Sequence, residues 1–350
     1  MNSEGRDPGP PSAESMSRLN TEGPSDVMTI RVAAIRCPIS EPRVCHEGSP
    51  LHQMQGLHRS EPMQKTNETH SMTVAWLTDT GRVRRNNEDG ILVDVSRGVF
   101  LLADGMGGHN AGEIASSLAI RVAYEYLGRK TADRPVKKEA IPGLLMEAIN
   151  QANLVVQESS MSTPELAGMG TTLVAMMIRG DEAHICHVGD SRAYLLRGRL
   201  LRLTQDHSLG GTLVERNILP FEQVPSEFWH ILTQVVGITT DLDPGMTRVA
   251  LQPGDVVLLC SDGLTRALSD GDIGDALVAN RGDLRKAASL LVREANNRGG
   301  SDNTSVVLAR IDRCPVDVLL LPGARADSAD PAGQAPHRGP DPTRRGIAWP

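Results

Sequence analysis

Phe100-Leu101-Leu102-Ala103-Asp104-Gly105-Met106-Gly107-Gly108-His109 is the stretch whose reading decides the fold. Four apolar residues in succession predict a strand buried on both faces, and the Asp-Gly that ends it marks where the backbone leaves the sheet. A carboxylate at that point is held by a rigid element and still faces solvent. The glycines permit a tight turn and let a backbone carbonyl, that of Gly105, approach an ion with no side chain in the way. Such an oxygen-rich corner suits a hard cation, magnesium or manganese. A lone Asp-Gly would be only a turn; what outweighs that reading is recurrence of the design downstream.

Val256-Val257-Leu258-Leu259-Cys260-Ser261-Asp262-Gly263 repeats the same logic, and His184-Ile185-Cys186-His187-Val188-Gly189-Asp190 places another carboxylate at the end of an apolar strand. Arg298-Gly299-Gly300-Ser301-Asp302-Asn303 inverts the order, with glycines before the carboxylate and a strand after it, and Glu88-Asp89 precedes a further strand. Six acidic groups at element ends, without evident basic partners in sequence, would repel one another if they converged, so convergence implies metal. Two divalent ions about 3.5–4 Å apart, bridged by a carboxylate and a water, lower that water's pKa and hold it in line with phosphorus; Asp104 is the natural bridge. Arg84, within Gly81-Arg82-Val83-Arg84-Arg85-Asn86-Asn87-Glu88-Asp89, can fork onto phosphate oxygens. Without the neighbouring acids it would be a solvated loop charge.

Moving outward, a formal charge of -7 over 350 residues leaves no basic footprint for nucleic acid, and aromatic residues at 3% are too sparse for base stacking. No apolar stretch reaches the length of a membrane span, and the N-terminus lacks the order of a secretory signal, so cytoplasmic residence is expected. Five cysteines without a Cys-x-x-Cys pair argue against a disulfide framework, and the scatter of Cys37, Cys45, His46, His52, His58 and His70 matches no zinc pattern. Residues 1–71 and 313–350, rich in Pro, Ser, Gly and mixed charge, are expected to be disordered extensions around one domain at 72–312.

Within that domain, strands are expected at 72–78, 91–95 and 99–103, and helices at 111–127 and 138–157, the first with Ile114, Leu118, Val122 and Tyr126 inward. Strands at 172–178, 182–188, 193–197 and 199–203 are expected as an antiparallel meander, and the irregular stretch 204–242 as a functional flap. Strands at 247–251, 256–260 and 305–311 and helices at 271–280 and 284–297 complete the pattern. Runs of strands interleaved with helix pairs imply layered antiparallel sheets flanked by helices, and disfavour a doubly wound dinucleotide fold.

Taken together, Gly81 to Asp89, Asp104 to His109, Gly170-Thr171-Thr172, Val188 to Arg192, Thr204-Gln205-Asp206-His207-Ser208, Pro253-Gly254-Asp255, Ser261-Asp262-Gly263 and Gly300 to Asn303 occur in the order of one family. Over Met72 to Ile311 the chain resembles the bacterial type-2C (PPM) metal-dependent protein serine/threonine phosphatases. The resemblance implies an α+β fold, a four-layer αββα sandwich of two central antiparallel β-sheets flanked by helix pairs, with two Mn2+ or Mg2+ ions in the cleft. By position, Asp104 resembles the bridging ligand, Asp262 and Asp302 ligands of one metal, and Gly105 the carbonyl ligand of the other, which Glu88 and Asp89 hold largely through its waters. Asp190 resembles the residue that supports a third, weaker metal with Asp262, and Arg84 the phosphate-binding arginine. The sequence departs from some members at Met106, where they carry a histidine; the proton donor is then unassigned, with His109 a candidate.

The implied activity is hydrolysis of phosphoserine and phosphothreonine in proteins by direct attack of a metal-activated water. Its partners would be phosphorylated proteins, with a serine/threonine kinase and its substrates as the counterpart. Two other classes compete: a silent phosphoprotein-binding module, against which the intact acidic set counts, and a dinuclear hydrolase of nucleotides or nucleic acid, disfavoured by the charge.

Overall fold

The computed structural model describes residues 28–32, 71–108, 111–132 and 136–313. In chain order, β1 (Met28–Val32) and β2 (Ser71–Asp79) are followed by a hairpin of β3 (Asp89–Asp94) and β4 (Val99–Met106). The long helices α1 (Ala111–Thr131) and α2 (Ile141–Ser162) come next, then β5 (Gly170–Thr171), β6 (Leu173–Arg179) and β7 (Glu182–Val188). β8 (Arg192–Arg197) and β9 (Arg199–Arg202) lead into an irregular segment containing α3 (Leu209–Glu215), and β10 (Gly245–Ala250) follows it. β11 (Val256–Cys260), α4 (Asp262–Ala267), α5 (Asp270–Ala279), α6 (Leu284–Asn297) and β12 (Thr304–Arg313) close the series.

The strands form two antiparallel sheets, one in the order β1-β2-β12-β11-β8-β9, the other β10-β7-β6-β4-β3 with β5 beside β4. Period-two alternation explains why both are buried on both faces. Along β4, Val99, Leu101 and Ala103 pack with α1 and α2, while Phe100 and Leu102 point into the layer between the sheets. β11 does the same, with Val256, Leu258 and Cys260 toward α4, α5 and α6 and with Val257 and Leu259 facing the other sheet. Three apolar layers therefore hold four structural layers together, the αββα sandwich expected from the sequence.

Three expectations are corrected. The strands 172–203 are not one meander: β7 lies in one sheet and β8 in the other, so the chain changes sheets at Gly189-Asp190-Ser191. The inward face of α1 is Ala111, Ala115, Ala119 and Ala123 with Ile120 and Leu127, whereas Ile114 is exposed and Leu118, Val122 and Tyr126 are only partly covered. A stripe of alanines lets the helix axis come close to its neighbours, which the larger side chains would prevent. Finally, within the stretch 1–71 read as disordered, Met28–Val32 pairs antiparallel with β2, with Met28 opposite Trp76 and Val32 opposite Met72. Its alternating Met-Thr-Ile-Arg-Val is a strand pattern that needs only the free edge of β2. The rest of 1–70, and 314–350, lie outside the described residues.

Candidate metal centre

The carboxylates gather where the chain leaves or changes sheets. Asp89 and Asp104 are register partners at the same end of the β3–β4 hairpin. Asp190 sits in the β7–β8 crossing, Asp262 opens α4 at the end of β11, and Asp302 precedes β12. Both sheets end here, so residues more than 200 positions apart share one cleft.

The backbone around Asp104 is clamped. Its N–H donates to Thr172 Oγ1 at 2.9 Å, and its carbonyl accepts from the Thr172 N–H at 2.8 Å and from Thr171 Oγ1 at 2.9 Å. Thr172 Oγ1 also lies 2.8 Å from Ser191 Oγ, which ties this clamp to the crossing that carries Asp190. At Gly105 a Cβ would stand 2.0 Å from the Gly112 carbonyl oxygen and 2.7 Å from that of Glu88, so only glycine allows α1 to begin against this strand end.

The loop 80–88 is laced by Asn303. Its Oδ1 accepts from the Glu88 N–H at 2.9 Å, and its Nδ2 donates to the Thr80 and Asn86 carbonyls, both at 2.9 Å. The Glu88 carbonyl accepts from Gly105 N–H at 3.1 Å and Ser116 Oγ at 2.7 Å. Asp89 Oδ2 accepts from Ser261 Oγ at 2.8 Å, while its Oδ1 is buried with no protein partner; Asp262 Oδ1 is in the same position. Asp302 Oδ2 accepts from Arg84 Nη2 at 2.9 Å and from Arg266 Nη1 at 3.1 Å.

A cleft of 440 Å³ is lined by Arg84, Glu88, Asp104, Gly105, Asp190, Asp262 and Asp302, seven of the eight residues singled out in the sequence. Asp89 does not line it and is held beside it by Ser261. Electrostatically the group is unbalanced. Burial first, then Asp89, Asp262, Asp190 and Asp302, push the Asp104 carboxyl well above the usual carboxylate range. Burial carries Asp89 to about 7 against the opposing hydrogen bonds of Ser305 and Ser261, and it carries Asp190 to about 7 with help from Asp262 and Asp206. Glu88 and Asp262 are raised by burial and held back by Arg84 and Arg266 respectively.

Orphaned buried carboxylate oxygens and mutual repulsion are what a bound cation relieves. The donor set is entirely oxygen, so the residues fit hard divalent ions. Among the described residues no three acidic, histidine or cysteine groups close on one point as a finished cage. Mg2+ and Mn2+ keep several waters in their shells, so few protein ligands suffice to hold them.

Sequence reasoning missed Arg266, though its spacing four residues after Asp262 was a usable signal, and it quoted Ser261 and Asn303 within motifs without giving either a role. It also missed the apolar wall of Leu232, Val235 and Ile238, with His230 beside it, on the side of the cleft made by the irregular segment. That segment is pinned: Thr171 and Val236 exchange two backbone hydrogen bonds of 2.9 Å, and Ser208 bridges to Leu232. Met106 lines the cleft, and His109 lies outside the described residues.

Comparison with known proteins follows the same lines. A family profile described as Protein phosphatase 2C matches residues 81–297. The serine/threonine phosphatase Stp of Listeria monocytogenes is 35% identical over 246 residues, spanning 69% of this chain and 96% of that protein. The crystal structure of the Mycobacterium tuberculosis serine/threonine phosphatase PstP/Ppp superposes with a TM-score of 0.62 at 34% identity, over 69% of this chain and 99% of that one. A structure of the PstP catalytic domain in complex with two manganese ions superposes with a TM-score of 0.60 at 34% identity, over 69% and 98% of the two chains.

Proposed function

We propose, from the premise that this chain belongs to the protein phosphatase 2C family, that Glu88, Asp89, Asp104, Gly105, Asp262 and Asp302 hold its two metal ions and that Arg84 binds the phosphate. The chain is a metal-dependent protein serine/threonine phosphatase acting on phosphorylated proteins. Residues 72–312 form its catalytic domain in this reading.

The observation that carries the assignment is the convergence of these carboxylates around buried oxygens that no protein group satisfies. Asp104 lies opposite Asp89 in the β3–β4 register and shares the cleft with Asp262 and Asp302, so it is the carboxylate that would serve both ions. When bound, the two ions polarise a water for attack on phosphorus and neutralise charge on the phosphoryl oxygens. The protein's own part is placement. Thr171 and Thr172 fix the Asp104 backbone, Asn303 fixes Glu88, and Asp302 orients the half-exposed Arg84 guanidinium at the rim. From there its planar fork donates to two phosphoryl oxygens. Leu232, Val235 and Ile238 give the opposite wall an apolar face that does not compete for the phosphate.

The reading extends to a serine/threonine kinase of the same cell, in the cytoplasm, as the source of its phosphoprotein substrates. Among the described residues no helix is long and apolar enough to cross a membrane.

The test is phosphate release from a phosphothreonine peptide with manganese, with magnesium and with chelator, alongside Asp262→Ala. Metal-dependent release that the substitution abolishes is expected. Absence of release under either metal, with the peptide still bound, would overturn the reading in favour of a silent phosphoprotein-binding module.

A further inference from the structure

We propose that His230, which the irregular segment between β9 and β10 carries to the cleft, gives the leaving serine or threonine oxygen its proton. The inference rests on the phosphatase reading above and adds a catalytic residue that reading does not use.

In an in-line displacement the attacking and leaving oxygens stand on opposite sides of phosphorus. The water attacks from the side of the proposed metal ligands Asp104, Asp262 and Asp302, so the ester oxygen leaves toward the wall that faces them. Asp190, in the β7–β8 crossing, lies on the attacking side with those ligands. The facing wall belongs to the irregular segment and consists of Leu232, Val235, Ile238 and His230, of which His230 alone has a proton to give. Elsewhere on the lining, Met106 carries no acidic proton, and a guanidinium does not release its own, which sets Arg84 and Arg266 aside. The Thr172 hydroxyl is taken up by the Asp104 N–H and Ser191. Histidine is the side chain that gains and loses a proton between pH 5 and 8.

Neighbours on both sides fix where His230 stands. Trp229 packs on α3, where a Cβ on Gly210 would lie 2.8 Å from Trp229 Cδ2, and its ring lies 5.0 Å from that of Phe221 between centroids. On the other side, the Ile231 carbonyl accepts from the Leu209 N–H at 2.7 Å, and the Thr233 N–H donates to the His207 carbonyl at 2.9 Å. His230 itself is exposed, and among the described residues no group is hydrogen-bonded or ion-paired to its ring. Its N–H is therefore available to substrate. As the water oxygen bonds to phosphorus and loses a proton to solvent, the P–O ester bond breaks. The electron pair stays on the serine or threonine oxygen, which takes the proton of the His230 ring N–H. Neutral His230 then recovers a proton from solvent. An alkoxide is too strong a base to leave unprotonated at neutral pH, and a positioned acid contributes about 10²–10⁴-fold in rate.

The experiment compares leaving groups. The full chain and His230→Gln are assayed with manganese on a phosphothreonine peptide and on p-nitrophenyl phosphate, whose nitrophenolate leaves without a proton. His230 is exposed, so the substitution leaves the fold intact, and a calorimetric titration with MnCl2 is expected to give the same affinity for both chains. The ratio of the p-nitrophenyl phosphate kcat to the peptide kcat is expected to rise about 10²-fold or more in His230→Gln. A merely structural role lowers both rates alike. An unmoved ratio therefore overturns the inference, whether or not KM or manganese affinity changes, and so does a rise in His109→Gln in place of His230→Gln. A wild-type chain that releases phosphate from neither substrate overturns the phosphatase reading itself, an outcome distinct from an unmoved ratio.

Discussion

Two sets of aspartates lie buried at the strand ends of this fold, and the protein treats them in opposite ways. Asp206 receives Arg192 through Nε at 3.0 and 3.2 Å and Nη2 at 2.7 Å, and it is also paired with Arg202. Asp255 is matched by Arg197 and by the Gln252 N–H at 2.7 Å. At the cleft, Asp104 feels the charges of Asp89, Asp262, Asp190 and Asp302 together, and the nearby guanidinium groups bond to Asp262 and Asp302 instead. The first set is closed and structural. The second retains repulsion that only ions added from outside relieve, which is how a site for metal differs from a site for stability.

That contrast can be broken most directly at Asp104. Asp104→Asn should lower manganese-dependent turnover of a phosphothreonine peptide by about 10³-fold or more, several kcal/mol at 1.36 kcal/mol per tenfold. In chelator the same variant should melt higher than the wild-type chain, because a neutral amide removes one member of the repelling set. A lower melting temperature in chelator would contradict the account of the cleft as unbalanced. Asp206→Ala should do the reverse. It strands two partly buried arginines and should cost about 3–5 kcal/mol in urea unfolding, with or without manganese. If that cost disappeared, the closed set would not be structural.

Asn303→Ala tests the layer behind the ligands. It removes three hydrogen bonds that hold Glu88 and its loop, and it should weaken manganese binding by about 10–100-fold in a calorimetric titration. An unchanged affinity would mean the loop is held by other contacts.

The smallest effect is a pH dependence. Asp89 and Asp190 are raised to about 7 from an ordinary value of 3.8, so between those limits the folded, metal-free chain binds more protons than the unfolded one. Stability is then highest at the acid end of that window and is lost as pH rises toward 7. The melting temperature in chelator should fall by several degrees from pH 5 to pH 8, a trend that saturating manganese flattens. A melting temperature that rose over that range in chelator would refute the repulsion.

The sequence made most of the site legible because its signals are local. An apolar run ending in Asp-Gly is readable at Asp104 and Asp262 without knowing what lies opposite, and seven of the eight residues so identified line the cleft. What could not be read was pairing. Asp190 and Asp206 follow similar short motifs, yet only Asp206 is claimed by two arginines. The helix stripe of α1 was misplaced for a related reason, since bulk marks the inward face only when neighbours stand far enough away to need filling.

By itself, then, the sequence determined which segments are strands, where the chain turns, and which strand ends carry carboxylates, because alternation and turn chemistry act over a few residues. Tertiary structure alone decided that β7 and β8 part into different sheets, that Asn303 reaches back 215 positions to Glu88, and that Arg266 covers Asp262 and Asp302 while Asp206 is neutralised elsewhere. Those outcomes depend on which charges come within a few ångströms once the two sheets stack, a distance that the spacing of residues along the chain does not encode.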